Sequence, residues 1–154
     1  MEKKYIPFEV IERFMENVLG KAGIPNDEAK IITNVLLKAD KLGFDSHGVN
    51  RLKPIYLDRI NDGILNPITN FKIVRESPTT AVIDGQNGMG HVISYNAMKM
   101  AIDKAKKYGM GMVAVRNSTH YGFAGYYALM AAQNNMIGIT GTNARPSIAP
   151  TFGV

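Results

Sequence analysis

The sequence predicts an α/β fold in which a helical amino-terminal region precedes alternating strands and helices of a mixed or largely antiparallel sheet. Two observations carry this reading. Up to about residue 61 the apolar residues recur at helical spacing, and beyond Asn66-Pro67 the pattern changes to short β-branched runs separated by helical stretches. The chain has 154 residues, 45% hydrophobic and 20% charged, which is enough for one real core. The change of period divides it into a helical region, residues 1–66, and the first part of an α/β core, residues 67–154.

The first helix is expected from Phe8 to Leu19, with Val10, Ile11, Phe14, Val18 and Leu19 on its apolar face and Gly20 or Gly23 ending it. Pro25-Asn26-Asp27-Glu28 opens the second. Asn26 is the expected N-cap, acidic residues fill the first turn, and Ile31, Ile32, Val35, Leu36 and Ala39 continue the stripe to Leu42-Gly43. A third helix is expected from about His47 to Asn61, interrupted or kinked at Pro54. Phe71 to Val74 and Thr80 to Ile83 read as strands around the turn Ser77-Pro78. A long helix from Gly88 to Tyr108, a strand from Met112 to Val115, a helix from about Ala124 to Asn134 and a strand from Ile137 to Thr140 follow. The stretch Gly141 to Val154 is polar and punctuated by proline, and reads as the approach to a further element of a longer protein.

Composition removes several function classes. There is no cysteine, so disulfides, thiolate metal sites and cysteine nucleophiles are excluded, and no metal is assigned. No window approaches the run of about eighteen apolar residues that a membrane helix needs, so a soluble, cytoplasmic protein without a membrane partner is expected. The net charge is +5, but the basic residues are dispersed. Their densest group, Lys99, Lys104, Lys106 and Lys107, decorates the polar side of one expected helix, which favours a solvated face over a nucleic-acid surface.

Two clusters hold the candidate chemistry. In Asp45-Ser46-His47-Gly48-Val49-Asn50-Arg51, an imidazole and a guanidinium fall four residues apart, one helical turn on one face. The pair suits a small carboxylate, gripped by the guanidinium while the imidazole exchanges a proton with the neighbouring oxygen, or it is an ordinary solvated turn. Ser46 reads as an N-cap or as part of the site, Asp45 as an orienting group or a turn former, and Tyr56 as a pocket wall or core. In the second cluster His120 lies in a loop after a strand, where ligands of α/β sheets collect. Gly122 and Gly125 permit close backbone approach, and the helix start near Ala124 offers free N–H groups to an anion. The alternative is a satisfied histidine in a tight connection.

The glycine-rich turn Asp84-Gly85-Gln86-Asn87-Gly88-Met89-Gly90 fails the dinucleotide fingerprint. Counted from Gly88, the third glycine position holds Ile93, and the next strand ends in Arg116-Asn117 in place of an acidic residue. A tight strand-to-helix turn is expected, with His91 structural. Arg116 reads as a partner for a 2′-phosphate or as a solvated side chain.

Taken in order, Asp45-Ser46-His47-Gly48 with Arg51-Leu52 and Tyr56, Asp84-Gly85 with Gly88 and Gly90, Asn117-Ser118 with His120, Gly122, Gly125 and Tyr126, and Thr142-Asn143 with Pro146, Ala149-Pro150 and Gly153 resemble the type 2 malate/L-lactate dehydrogenases. The resemblance runs from end to end. It implies a non-Rossmann α/β fold, NAD or NADP as cofactor, a homodimer packed through the helical region, and interconversion of small 2-oxo and 2-hydroxy acids such as malate, lactate or sulfolactate. By position, His47 matches the proton donor, Ser46 the assisting hydroxyl and Arg51 the carboxylate ligand. His120 matches a second active-site histidine, and Tyr121, Gly122, Phe123 and Ala124 border the cofactor. Two departures stand out. Family members are much longer, with most nicotinamide-binding residues beyond this stretch, and the usual glycine pair is here Gly153-Val154. An inactive fragment with only a folding or dimerisation role is therefore the alternative, and the chain by itself is expected to fold at least partly and to self-associate without turning over substrate.

Overall fold

The computed structural model describes residues 5–143; the Pro146, Ala149-Pro150 and Gly153 motif lies outside the described residues. Helices α1 (Phe8–Lys21) and α2 (Asn26–Lys41) open the fold. After them come two 3-10 turns, Asp45–His47 and Val49–Arg51, a π-helical stretch Leu52–Leu57, and the single turn α3 (Asp58–Asn61). Strands β1 (Lys72–Glu76) and β2 (Thr80–Asp84), the long helix α4 (Gly90–Tyr108), strand β3 (Met112–Arg116) and helix α5 (Gly125–Ala132) complete the α/β part.

Helix α1 buries Met15 and Leu19 and leaves Val10 and Phe14 exposed, Phe14 by 58%. The expected stripe was centred one position off, because residues 11, 15, 18 and 19 are those aligned at a 3.6-residue period. The helix runs past Gly20 and stops before Gly23. In α2, Pro25 occupies the N-cap and Asn26 is already helical without a side-chain cap, which corrects the expected cap; proline's fixed φ of −57 to −56° at both Pro7 and Pro25 launches each helix.

The expected third helix is not one helix. Gly48, extended at φ −95° and ψ −150°, separates the two 3-10 turns, and the chain passes Pro54 by widening to the π register. Proline lacks the N–H that an α-helix would use there. Gly48 also admits the α2 side chain Asp40, whose carboxylate occupies the space a Cβ would take and accepts the Val49 N–H at 2.8 Å. That contact clamps the loop carrying Ser46 and His47 against α2.

The sheet is mixed, in the order β1-β2-β3. Strands β1 and β2 pair antiparallel with an irregularity between Ile73 and Arg75, and β2 and β3 pair parallel through the α4 crossover. The expected turn at Ser77-Pro78 is present, closed by the Ser77 N–H to the Thr80 carbonyl at 2.9 Å. Ile137 to Thr140 forms no strand: no described residue pairs with it, and a strand has no stability without a ladder partner. Ile137 and Ile139 are instead largely exposed.

The main core joins the two regions, since Met15, Leu19, Ile32, Leu36, Tyr56 and Leu65 pack with Met89 and Val92 at the start of α4. A smaller cluster of Ile83, Ile93 and Ala97 holds α4 on β2. His91 sits inside the main core, fully buried, with neither ring nitrogen hydrogen-bonded among the described residues, and burial first, then the charge of His120, pulls its pKa to about 3. It is a neutral core residue, in line with the structural role expected.

Replacing Gly48 by Ala forces a methyl group into the Asp40 carboxylate. The variant is expected to lose about 1–3 kcal/mol of stability in urea unfolding. A Gly48→Ala chain as stable as its parent would show that Asp40 does not clamp this loop.

Candidate active site

The amino-terminal side of the site is the clamped loop. His47, partly exposed, shares a 2.8 Å hydrogen bond between its Nδ1 and the Ser46 hydroxyl, so Ser46 serves the imidazole and caps no helix. Asp45 starts the 3-10 turn and makes no hydrogen bond to His47. Arg51 does not lie one α-helical turn from His47 as its spacing suggests, because Gly48 breaks the helix between them. It stays beside the loop by another route. Its Nε donates to the Ser46 carbonyl, while its two terminal nitrogens make no hydrogen bond among the described residues.

His120 arrives from the sheet. After β3, Asn117 takes a left-handed φ of 50° and donates to the Asp84 carboxylate at 2.9 Å, which also accepts the Arg116 Nε at 3.1 Å. Arg116 is thus tied to Asp84 through Nε while its side chain stays 59% exposed, close to the solvated reading. The loop then docks on the start of α4: Thr119 Oγ1 accepts the Gly90 N–H at 3.0 Å and donates to the Gly88 carbonyl at 2.8 Å. A Cβ on Gly90 would meet the Thr119 and His120 carbonyls, so this glycine allows the approach that sets His120 in place. The turn before it is closed by the Gly88 N–H to the Gly85 carbonyl, with Gln86 and Asn87 both at positive φ, a structural turn as expected.

These two routes converge. The His47 and His120 rings lie near-parallel with centroids 5.8 Å apart. Tyr56, fully buried, reaches His120 Nδ1 with its hydroxyl at 2.8 Å, and the Gly122 N–H reaches the same nitrogen at 3.2 Å. Beneath them His91 packs edge-on against Tyr56 at 4.6 Å. Partial burial, then the positive charges of His47, Arg59 and Arg51, hold the His120 pKa below its ordinary value. Burial likewise pushes the Tyr56 phenol well above its ordinary value.

The Tyr121 to Ala124 turn adjoins His120, but its glycines serve the protein's own packing. A Cβ on Gly122 would strike His91 and Val35, and one on Gly125 would strike the Phe123 ring, so close approach here is to side chains of the same chain. The helix start is also partly used, with the Tyr126 and Tyr127 N–H groups bonded to the Phe123 and Ala124 carbonyls. Tyr121 stacks on Tyr127 at 5.3 Å, and its buried hydroxyl has no hydrogen-bond partner among the described residues. Phe123 stacks on Phe44 at 4.7 Å, which ties this turn to the loop before His47.

Three contributors escaped sequence reasoning. Arg59 falls three residues after Tyr56, a spacing that would have signalled a shared side had the helix been read in short pieces. Asp40 and Phe44 act on residues well separated from them along the chain, and no local pattern points to either. Two recesses, about 330 Å³ at Asn66–Asn70 with Gln86 and about 790 Å³ between β1 and α4, include neither histidine.

The sequence model of one family, described as malate/L-lactate dehydrogenase, matches residues 6–154. The chain is 54% identical over 149 residues to the malate dehydrogenase of Pyrococcus abyssi, covering 97% of this chain and 41% of that protein. It is 48% identical over 142 residues to the L-sulfolactate dehydrogenase of Methanocaldococcus jannaschii, covering 92% and 41%. The solved structure of malate dehydrogenase from Entamoeba histolytica superposes with a TM-score of 0.94 at 53% identity, over 99% of this chain and 42% of that one. The chain therefore spans about two fifths of the length of these relatives. By the extent of the sequence match and the shared fold, it belongs to the malate/L-lactate dehydrogenase family.

Proposed function

We propose that the intact protein is an oxidoreductase that moves a hydride between NAD or NADP and a small 2-hydroxy or 2-oxo acid. The observation that carries this reading is the pair of imidazoles, His47 and His120, 5.8 Å apart beside the unengaged end of Arg51. Hydride transfer to a 2-oxo acid needs a proton source at the C2 oxygen and an anchor for the carboxylate, and these side chains provide both.

The residues fit the reacting end of a nicotinamide. Tyr121, with a buried hydroxyl that lacks a partner among the described residues, stands in the same turn as Gly122, Phe123 and Ala124, and this turn would border the ring. When bound, the nicotinamide supplies the hydride to C2, or accepts it in the reverse direction. Arg51 holds the carboxylate with its terminal nitrogens while Ser46 keeps its Nε in place. His47 in its protonated form delivers the proton that turns the C2 oxygen into a hydroxyl, and its neutral form removes that proton in oxidation. Ser46 can donate to or accept from His47 Nδ1, so the imidazole is supported in both states.

Malate and sulfolactate are favoured over lactate. Arg51 and Arg59 both act on His120, and two cations suit an acid with a second anionic group. In this reading residues 1–66 carry the substrate side and dimer contacts, and residues 67–154 begin the cofactor-binding core. The exposed Val10 and Phe14 on α1 support a homodimer, and would equally support a fragment left with only a folding or dimerisation role. A cytoplasmic location accords with the absence of cysteine, and no described helix is long and apolar enough to cross a membrane.

In the intact protein, His47→Ala is expected to lower kcat by roughly 10²–10⁴ with cofactor affinity little changed. Near-normal turnover in this variant would remove His47 as the proton donor. Arg51→Lys is expected to raise KM for the 2-oxo acid by about tenfold or more, because an ammonium lacks the planar fork. An unchanged KM would take Arg51 out of the substrate site.

A further inference from the structure

The hydrogen bonds at His120 decide which of its nitrogens carries the proton. A backbone N–H can only donate, and the Gly122 N–H points at Nδ1 from 3.2 Å. Nδ1 must therefore be the accepting, unprotonated nitrogen. The Tyr56 hydroxyl, 2.8 Å from the same atom, then has one role open to it, which is to donate. Tyr56 is fully buried and keeps its phenolic proton. In the neutral ring the hydrogen is left on Nε2, which makes no hydrogen bond among the described residues and is not among the buried unpaired atoms.

We propose that Tyr56 is a positioning residue that fixes His120 as the neutral, Nε2-protonated tautomer, so that His120 offers a hydrogen bond to the substrate's oxygen and leaves proton transfer to His47. The inference rests on the reading of this site as one for a 2-oxo acid, but the tautomer itself does not depend on that reading.

The surroundings favour a neutral ring from every side. His47 stacks on it from the clamped loop, Arg51 and Arg59 act on it from the irregular helical stretch and α3, and His91 of α4 lies buried and neutral behind Tyr56. Each of these groups is cationic or neutral, and none stabilises an imidazolium. Protonating Nδ1 would also turn an N–H of His120 against the N–H of Gly122. His47 differs in its partner, because its Nδ1 faces a hydroxyl able to donate or accept. A neutral imidazole that donates through N–H polarises a carbonyl without giving up its proton, which is the behaviour expected of an electrophilic histidine. The arrangement separates two tasks that a pair of equivalent histidines would share.

The test is ¹⁵N-histidine NMR of this chain, with signals assigned by their loss in His120→Gln. Near neutral pH the parent is expected to show His120 as a single tautomer, Nδ1 unprotonated and Nε2 protonated. In Tyr56→Phe, which keeps the ring and removes the donor, a mixture of tautomers is expected, with the titration midpoint of His120 raised by roughly half a unit. In the intact enzyme the same variant should lose about tenfold in kcat with KM within about twofold, the mark of an interaction made in the transition state. Tyr56→Met removes the same hydroxyl if the phenylalanine variant does not fold. A parent spectrum with the proton on Nδ1, or averaged between tautomers, would overturn the proposal. So would hydroxyl-free variants in which the tautomer and midpoint of His120 are unchanged. Because the spectrum is read without turnover, failure of the dehydrogenase reading and failure of this one give different results.

Discussion

The hydrogen bond from Tyr56 to His120 is the interaction on which the site depends, because it crosses the seam between the helical region and the sheet. Everything else at the seam is arranged around it. Met89 and Val92 place the start of α4 in the same core as Tyr56, His91 fills the space behind the phenol, and Gly122 is bare so that the chain can turn directly over His91. A buried polar pair of this kind is favourable only when each member is satisfied. Nδ1 of His120 has two donors and the Tyr56 hydroxyl has its acceptor, so the pair specifies one docking of the two regions.

The second constraint is electrostatic. His47, His120, Arg51 and Arg59 gather with no carboxylate hydrogen-bonded to any of them among the described residues. Asp40 is committed to the Val49 N–H, and the carboxylate of Asp45, two residues before His47, makes no hydrogen bond among the described residues. The cluster is left without a hydrogen-bonded carboxylate among the described residues. Its geometry is held by hydrogen bonds and by glycine contacts, so the cations are brought together without ion pairs among the described residues.

Much of this was legible in the sequence, and the limits are physical. Helices α2 and α4 and strands β2 and β3 announce themselves because period and punctuation agree over long enough runs. His47, Arg51 and His120 stood out by residue type and by their place at loop ends. The region from Asp45 to Asn61 resisted, since its apolar spacing is helical while Gly48 and Pro54 divide it into 3-10, π and α pieces; Arg51 comes beside His47 through the Ser46 carbonyl, a contact that helical spacing does not describe. Gly122 and Gly125 pointed to a ligand because a bare backbone looks the same from sequence whether it faces a substrate or a neighbouring ring. Ile137 to Thr140 has strand composition, but composition does not supply a neighbour to pair with. The contribution of Asp40 to the loop, and of Tyr56 to His120, are contacts between distant positions and leave no local trace.

The central claim is that the carboxylate end of the site is assembled within this chain, with both histidines and Arg51 facing one ligand. Titrating the chain with oxalate, a small stand-in for a 2-oxo acid, while following the ring signals of His47 and His120 tests it directly. The account predicts that both signals move along one binding curve and that the response is lost in Arg51→Ala. Movement of neither histidine, or a response that survives the loss of the guanidinium, would contradict it.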